Sequence, residues 1–297
     1  MIDTRLTSLL KIVETGSYTK AAQALALSQP AVSQHIRQLE ETFGVRIFDR
    51  AHNRLSLTRE GELIVGYARR VSALYSNLEQ ALKNERTQVR TLTIGITHTA
   101  ESSAIIEALA GYVSMLEGLS IKILTNTRDE LYRMLKNYEL DFAFVEGKSG
   151  DSALSSMMLD TDSLVLAVPP DHALAGQGMV TIHQLKREKL ILRLPKSNTR
   201  TLFEASLESQ NLSVDDFNVI MEIDSIASIK DLIRRGFGVS VLARSACMDE
   251  LKKGKLAVLT IENLSMMREI NIVYLPDFEH PELLHGIVKA YNEMQQR

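Results

Sequence analysis

The stretch "AAQALALSQPAVSQHIRQLEETFGVRIFDR", Ala21 to Arg50, decides the architecture. Two short segments of helical periodicity are broken by Ser28-Gln29-Pro30. In the first, Ala21, Ala22 and Leu25 share one face. In the second, Val32, Ile36, Leu39 and Phe43 recur at helical spacing, and Gly44 closes the run. Ser28 suits an N-cap, and Pro30 suits the first helical turn, where its missing N–H costs nothing. A core needs only the apolar positions. Gln29, Ser33, Gln34, Arg37 and Gln38 lie on the other side of the helix and need a separate reason.

Outward from this stretch the pattern continues. Residues 3–14 form an amphipathic helix with Asp3 as N-cap and Leu6, Leu9, Leu10 and Val13 on one face, ended by Gly16. Ser17 caps the helix that carries Ala21 and Ala22. Downstream, "RIFDRAHNRLSLTREG" predicts a two-stranded hairpin, Arg46 to Phe48 and Leu55 to Leu57, with a polar tip at Ala51-His52-Asn53. Thr58 then caps a long helix over 59–87. Its apolar positions 64, 71, 78 and 68, 75, 82 are each seven apart, a short heptad seam that favours a second helix as partner. An amphipathic helix lying on its own domain is the competing explanation.

Two helices joined by a tight turn and followed by a hairpin make a winged helix-turn-helix. Small Ala21 and Ala22 let the second helix approach the third, and Val32, Ile36 and Leu39 hold the third rigid. Glutamine pairs bidentately with adenine and arginine with guanine in the major groove. Serine suits a phosphate or a base edge. Arg50, Arg54 and Arg59 in and after the wing suit backbone phosphates. Each such residue alone is what any solvated helix shows; the arrangement together is far more specific. Charge agrees weakly: residues 1–90 carry 13 Lys and Arg against 9 Asp and Glu, the rest 21 against 28, in a chain of net charge −3.

From Thr91 short strand-like runs alternate with helical ones. The strands expected are 91–97, 120–125, 141–146, 163–169, 189–195, 217–223, 238–243, 256–261 and 269–276. Such alternation predicts mostly parallel sheet covered by helices, and nine strands are too many for one small sheet. Two α/β subdomains with a cleft between them are expected. Ligands of open α/β sheets sit beyond the strand ends, where helix N-termini point. The first strand ends in Thr97, His98 and Thr99, followed by Ser102 and Ser103. Another leads to Ser197, Asn198 and Thr199, a third to Asp224 and Ser225, and Glu146 ends a fourth. Hydroxyls and free N–H groups there suit a small carboxylate or other oxyanion; capping of helices is the plainer role for any one of them.

Residues 1–60 resemble the N-terminal domain of LysR-type transcriptional regulators. The resemblance rests on "GSYTKAAQALALSQPAVSQHIRQLEETFGVRIFDR" and "LSLTREG", and the remainder is similar in pattern and length. It implies an α + α/β chain: a winged helix-turn-helix (1–58), a linker dimerisation helix (59–89), and a two-subdomain effector domain like a periplasmic binding protein (90–162 with 268–297, and 163–267). It implies double-stranded DNA as partner, with Gln29, Pro30, Ser33, Gln34 and Arg37 where such proteins approach bases, and Arg50 near the wing. A homodimer or homotetramer and a small-molecule co-inducer are implied too; the hydroxyl-rich strand ends point to a small anionic metabolite as that co-inducer, and RNA polymerase is expected as a further partner. The "THT" of residues 97–99 is similar to sulfur-assimilation members, which bind an oxyanion there. Ala100 departs from their pattern, and the wing tip "RAHNR" is a segment of variable length.

Other chemistries find less support. No run of about 18 apolar residues offers a membrane span. The N-terminus does not read as a signal peptide, so a cytoplasmic location is expected. The single cysteine, Cys247, excludes an intramolecular disulfide and suggests a buried, inert thiol. The seven histidines show no ligand spacing. No phosphate loop or nucleophile elbow occurs; "GFGVS" (236–240) precedes a strand and reads as a turn. No cofactor and no metal are expected. A metabolite-binding protein or enzyme of the α/β class with an accessory helical domain is the other reading.

Overall fold

The structure is a computed structural model that describes residues 3–49, 55–87, 90–98, 100, 103–195 and 197–295. Asp3 starts helix α1 (Thr4–Thr15) by accepting from the Arg5 N–H. Hydrogen bonds from the Arg5 side chain hold its carboxyl below the usual range. Ser17 caps α2 (Tyr18–Ala24), and Ser28 caps α3 (Gln29–Phe43), with Pro30 in the first turn of α3. In the turn between them Ala26 is left-handed, φ 54°. The next N–H, of Leu27, reaches back to the Ala22 carbonyl at 2.9 Å. Glycine usually supplies that position, because a Cβ crowds the backbone there.

Leu9, Ile12, Ala21, Ala22, Val32, Ile36, Leu39, Ile47, Phe48 and Val65 are buried together. The two alanines let α2 pack against α1 and α3. Strands β1 (Phe48–Asp49) and β2 (Ser56–Leu57) pair antiparallel, Phe48 opposite Leu57. Helix α4 (Arg59–Thr87) follows. Thr58 anchors its start: its hydroxyl accepts from the Gly61 N–H at 2.9 Å and donates to the Arg46 carbonyl at 2.5 Å. Gly61 lies against the Ile47 carbonyl, where any Cβ would overlap backbone.

The α4 seam differs in register from the expectation. Ile64 packs on the helix-turn-helix core and Ala68 is buried. The exposed apolar stripe is Leu63, Tyr67, Val71, Leu74, Leu78 and Leu82. Its spacing of four, four, three, four and four is also a helix-pairing pattern. The sequence alone did not separate the two stripes, because the inward positions of the first three turns serve the domain's own core.

The rest is α/β: β3 (Arg90–Thr97), α5 (Ser103–Ser114), β4 (Leu119–Asn126), α6 (Arg128–Lys136), β5 (Phe142–Glu146), β6 (Ser155–Val168), β7 (Met179–Val180), α7 (Ile182–Leu185), β8 (Leu190–Arg193), α8 (Asn198–Glu208), β9 (Val219–Ile223), α9 (Ile226–Arg234), β10 (Ser240–Ala243), α10 (Arg244–Lys252), β11 (Ala257–Ile261), β12 (Met267–Tyr274) and α11 (Pro281–Gln295). By contacts the chain falls into two units: residues 1–93 with 118–122 and 132–141, and residues 94–117, 123–131 and 142–297. In the first unit Arg70 and Asn77 of α4 donate to Asn137 and to the Tyr138 carbonyl, which ties the end of α6 to α4.

The main sheet has the order β4-β3-β5-β12-β6-β11-β7, with β10 also on β6. It is mixed, which corrects the mostly parallel expectation. β3 and β5 run parallel, but β12 is antiparallel to both β5 and β6. Strand β6 is the reason. It begins at Ser155, eight residues before the apolar run that marks it in sequence. Asp160, Thr161 and Asp162 interrupt its apolar pattern and hid its first half. That half pairs with β12 as far as Ser163. From Leu164 it pairs instead with β10 and β11. One strand thus runs from one lobe into the other. Leu164, Leu166 and Val168 join one core of the second lobe, and Ala167, pointing the opposite way, joins the other with Ile191, Ile229 and Cys247. β8 and β9 pair in parallel, with an isolated bridge from β8 to Val239.

Candidate nucleic-acid interface and effector site

On α3 the apolar positions and the polar ones separate cleanly. Val32, Ile36 and Leu39 are buried, whereas Gln29, Pro30, Gln34 and Arg37 are exposed and Ser33 and Gln38 half-buried. The Gln29 side-chain amide donates to the Ser33 hydroxyl at 2.9 Å, which fixes both on the first turn. His35 faces the other way. Its Nδ1 shares a 2.8 Å hydrogen bond with the hydroxyl of Ser8, which has no exposed surface. That buried polar link locks α3 to α1, and sequence reading missed it because neither residue interrupts a periodic run. Arg59 is exposed at the start of α4. Arg50 and Arg54 lie outside the described residues, as does the wing tip.

In the second unit the effector candidates fall at strand ends. Thr97 ends β3 and Glu146 ends the parallel β5; both are buried. The Thr97 hydroxyl donates to Glu146 Oε2 at 2.7 Å and accepts from the Ala100 N–H. Asn198, at the first turn of α8, donates its side-chain N–H to the same Oε2 at 2.9 Å. Glu146 thus joins a β3 end to an α8 start. Ser197 caps α8, its hydroxyl accepting from the Arg200 N–H, and Thr199 is buried in the first turn. His98 is exposed in the turn after β3. Asp224 is exposed and accepts from Arg193 at 2.9 Å. Thr99 and Ser102 lie outside the described residues.

Four further residues belong to this site and were not singled out in the sequence. Arg268 of β12 donates to Asp162 of β6, its cross-strand neighbour, at 2.9 Å. Its other terminal nitrogen stands 3.7 Å from Glu146 Oε1. Ser245 at the start of α10 donates its hydroxyl to Asp162 at 2.8 Å. Arg193, at the end of β8, is 3% exposed and bonded through one nitrogen only. The signal for Arg193 was present, a full charge in the otherwise apolar strand LILR, whereas Arg268 shares its strand with Glu269 and Asn271 and stands out less. Burying a charge costs several kcal/mol, roughly, unless it is paired, so its presence there marks either an ion pair or a ligand.

Cys247 is buried, and burial pushes its thiol up to about 12. No group of His, Cys, Asp and Glu able to hold a metal occurs among the described residues. Among them, no helix is long and apolar enough to cross a membrane.

Two family models together match most of the chain. Residues 4–62 match the bacterial regulatory helix-turn-helix protein, lysR family, and residues 85–295 match the LysR substrate binding domain. The chain belongs to the LysR family. It is therefore a DNA-binding transcriptional regulator with an effector-binding domain. The HTH-type transcriptional regulator CysL of Bacillus subtilis is 26% identical over 276 residues, 93% of this chain and 91% of that protein. A probable RuBisCO transcriptional regulator of Cyanophora paradoxa is 28% identical over 279 residues, 92% and 86%. Among solved structures, CbnR aligns with a TM-score of 0.70 at 16% identity over 99% of both chains. A full-length OxyR variant from Pseudomonas aeruginosa aligns at 0.67 and 20% identity, over 98% and 94%. These structures share its fold, a helix-turn-helix followed by a two-lobed α/β domain.

Proposed function

We propose that this LysR-family regulator reads an imperfect inverted repeat with Gln29, Pro30, Ser33, Gln34 and Arg37 of α3, with Arg50 and Arg54 on phosphates. It responds to a small anionic metabolite held at Thr97, His98, Thr99, Glu146, Ser197, Asn198, Thr199 and Asp224. The observation that carries the DNA half is the exposed Gln34 and Arg37 on a helix whose reverse is packed by Val32, Ile36 and Leu39. CbnR has been solved in full length with its target DNA, which favours the same mode here. The exposed stripe Leu63 to Leu82 of α4 supports a homodimer, which can pair again into a tetramer. Two α3 helices of a dimer then enter successive major grooves.

The protein acts in the cytoplasm by binding, with no catalytic step and no cofactor. Effector binding favours one arrangement of the two lobes over another, and the oligomer on DNA, with RNA polymerase beside it, reports the difference. A ligand shifts that balance only by its differential affinity, and on the order of a few kcal/mol suffices. The test has two arms. Gel retardation of a duplex spanning the promoter region next to the protein's own gene should show a specific complex. Thermal unfolding with a panel of metabolite anions should show stabilisation by at least one, and that compound should change the complex. No specific complex defeats the DNA half; no stabilisation by any anion defeats the effector half.

A further inference from the structure

The polar groups at the Glu146 site leave a particular set of atoms unsatisfied. Glu146 is 3% exposed, and both donors that reach it, Thr97 and Asn198, use Oε2. Oε1 is buried with no hydrogen-bond partner. Facing it at 3.7 Å is the Arg268 guanidinium, too far for a hydrogen bond. Two Arg268 nitrogens, Nε and Nη1, are likewise buried without a partner. The third is spent on Asp162. An acceptor oxygen without a donor, Glu146 Oε1, and a donor nitrogen without an acceptor, Arg268 Nη1, therefore stand side by side in a buried site, at the strand ends where this fold presents its ligand.

The charges matter as much as the positions. Glu146 and Asp162 place two negative charges around the single positive charge of Arg268. A simple carboxylate or other oxyanion placed here finds the Arg268 donors but meets the Glu146 carboxylate beside them. A simple amine finds Glu146 but leaves the Arg268 donors unmet. One arrangement satisfies both: a group that donates to Oε1 as a cation and accepts from Arg268 as an anion, with the two on adjacent atoms to match the close spacing. The charges then alternate along Glu146, ligand cation, ligand anion, Arg268 and Asp162.

We infer that Glu146 and Arg268 form a two-point receptor for the α-ammonium and carboxylate of an amino acid, so that the effector is an amino acid or a close derivative with both groups free. This rests on the effector reading above, keeps its carboxylate, and adds a neighbouring ammonium, so the ligand is a zwitterion at its α-carbon. Unsatisfied polar groups in a site built for hydrogen bonding reject the analogue that lacks the partner much more strongly than an apolar pocket rejects a size change. Thr97 and Asn198 act on the other oxygen and keep the Glu146 carboxylate turned toward the site.

The test uses the full-length protein and three matched probe sets: L-amino acids, the 2-hydroxy acids with the same side chains, and the corresponding decarboxylated amines. Titration calorimetry should find at least one amino acid that binds, with its hydroxy acid and its amine each at least tenfold weaker. Glu146→Gln should weaken that amino acid at least tenfold and abolish its advantage over the hydroxy acid. Arg268→Gln should abolish its advantage over the amine. Hydroxy acids or plain carboxylates that bind as well as amino acids overturn the inference. If they also change the DNA complex, the effector reading stands without it; if no probe of the three sets binds, the inference falls, and the effector reading falls with it only when the panel of metabolite anions also gives no stabilisation. Should Glu146→Gln not fold, as read by thermal unfolding, the three-way comparison on the unsubstituted protein decides alone.

Discussion

The outer face of α3 and the buried cluster around Glu146 use the same kinds of side chain under opposite constraints. On α3 the amides and the guanidinium stand in solvent, and only aliphatic residues behind them are buried. They impose nothing on the fold, so they are free to be chosen for what they touch. Around Glu146 the carboxylates and guanidiniums are themselves interior, and each needs a partner from the protein or from a ligand. The fold and the recognition chemistry are there one problem. Substitution on the α3 face should therefore change binding and leave stability alone, whereas substitution in the Glu146 cluster should change both.

The largest expected effect breaks the first region from behind. Leu39→Ala removes a side chain that is 1% exposed from the small core under α3. It should cost about 2–5 kcal/mol in a denaturant titration and remove specific DNA binding with it. An unchanged midpoint would mean that α3 is not held as described. Next comes the buried cluster. Thr97→Val keeps the shape but removes one of the two donors to Glu146 Oε2. A hydrogen bond to a charged group contributes about 1.5–3 kcal/mol, and the loss should appear both as a lower unfolding midpoint and as weaker effector binding. A change in binding alone would show that the residue serves the ligand and not the fold.

Much of the first region was legible because its signals are local. Ser17, Ser28 and Pro30 sit at helix starts, Gly44 at a helix end with φ 66°, and the aliphatic spacing gives the buried face directly. The second region was legible only in part. Thr97, Glu146 and Asn198 show as polar residues at strand and helix ends. Their partners Asp162, Ser245 and Arg268 come from elements far apart in the chain, and no short pattern links them. The two-lobe crossing of β6 was hidden for a related reason. The charged Asp162 that serves the cluster also interrupts the apolar run by which a strand is recognised.

Smaller effects sharpen the contrast. Ala26→Gly relieves a left-handed backbone in the turn before α3, and should raise stability by up to about 1 kcal/mol with DNA affinity retained. A loss of stability would mean that the turn tolerates the methyl group by packing on it. Cys247 tests the interior of the second lobe. Burial raises its pKa in the folded protein above the unfolded value of about 8.5. Folding thus favours the neutral thiol: its contribution is complete below about pH 8.5 and declines as pH rises toward the folded value. A thiol reagent at pH 8 should label the protein only after denaturation, and thermal stability should begin to fall above pH 9. Rapid labelling of the native protein would place Cys247 at the surface.

The central claim is that Gln34 and Arg37 read bases and do not merely cling to phosphate. The most direct measurement is the ratio of affinity for the operator duplex to affinity for an unrelated duplex, at one fixed salt concentration, in the wild type and in Gln34→Ala and Arg37→Ala. The account predicts that operator affinity falls by about 1–3 kcal/mol for each substitution while affinity for unrelated DNA and the unfolding midpoint of Gln34→Ala stay unchanged. Equal losses on both duplexes, or no loss on either, would contradict it.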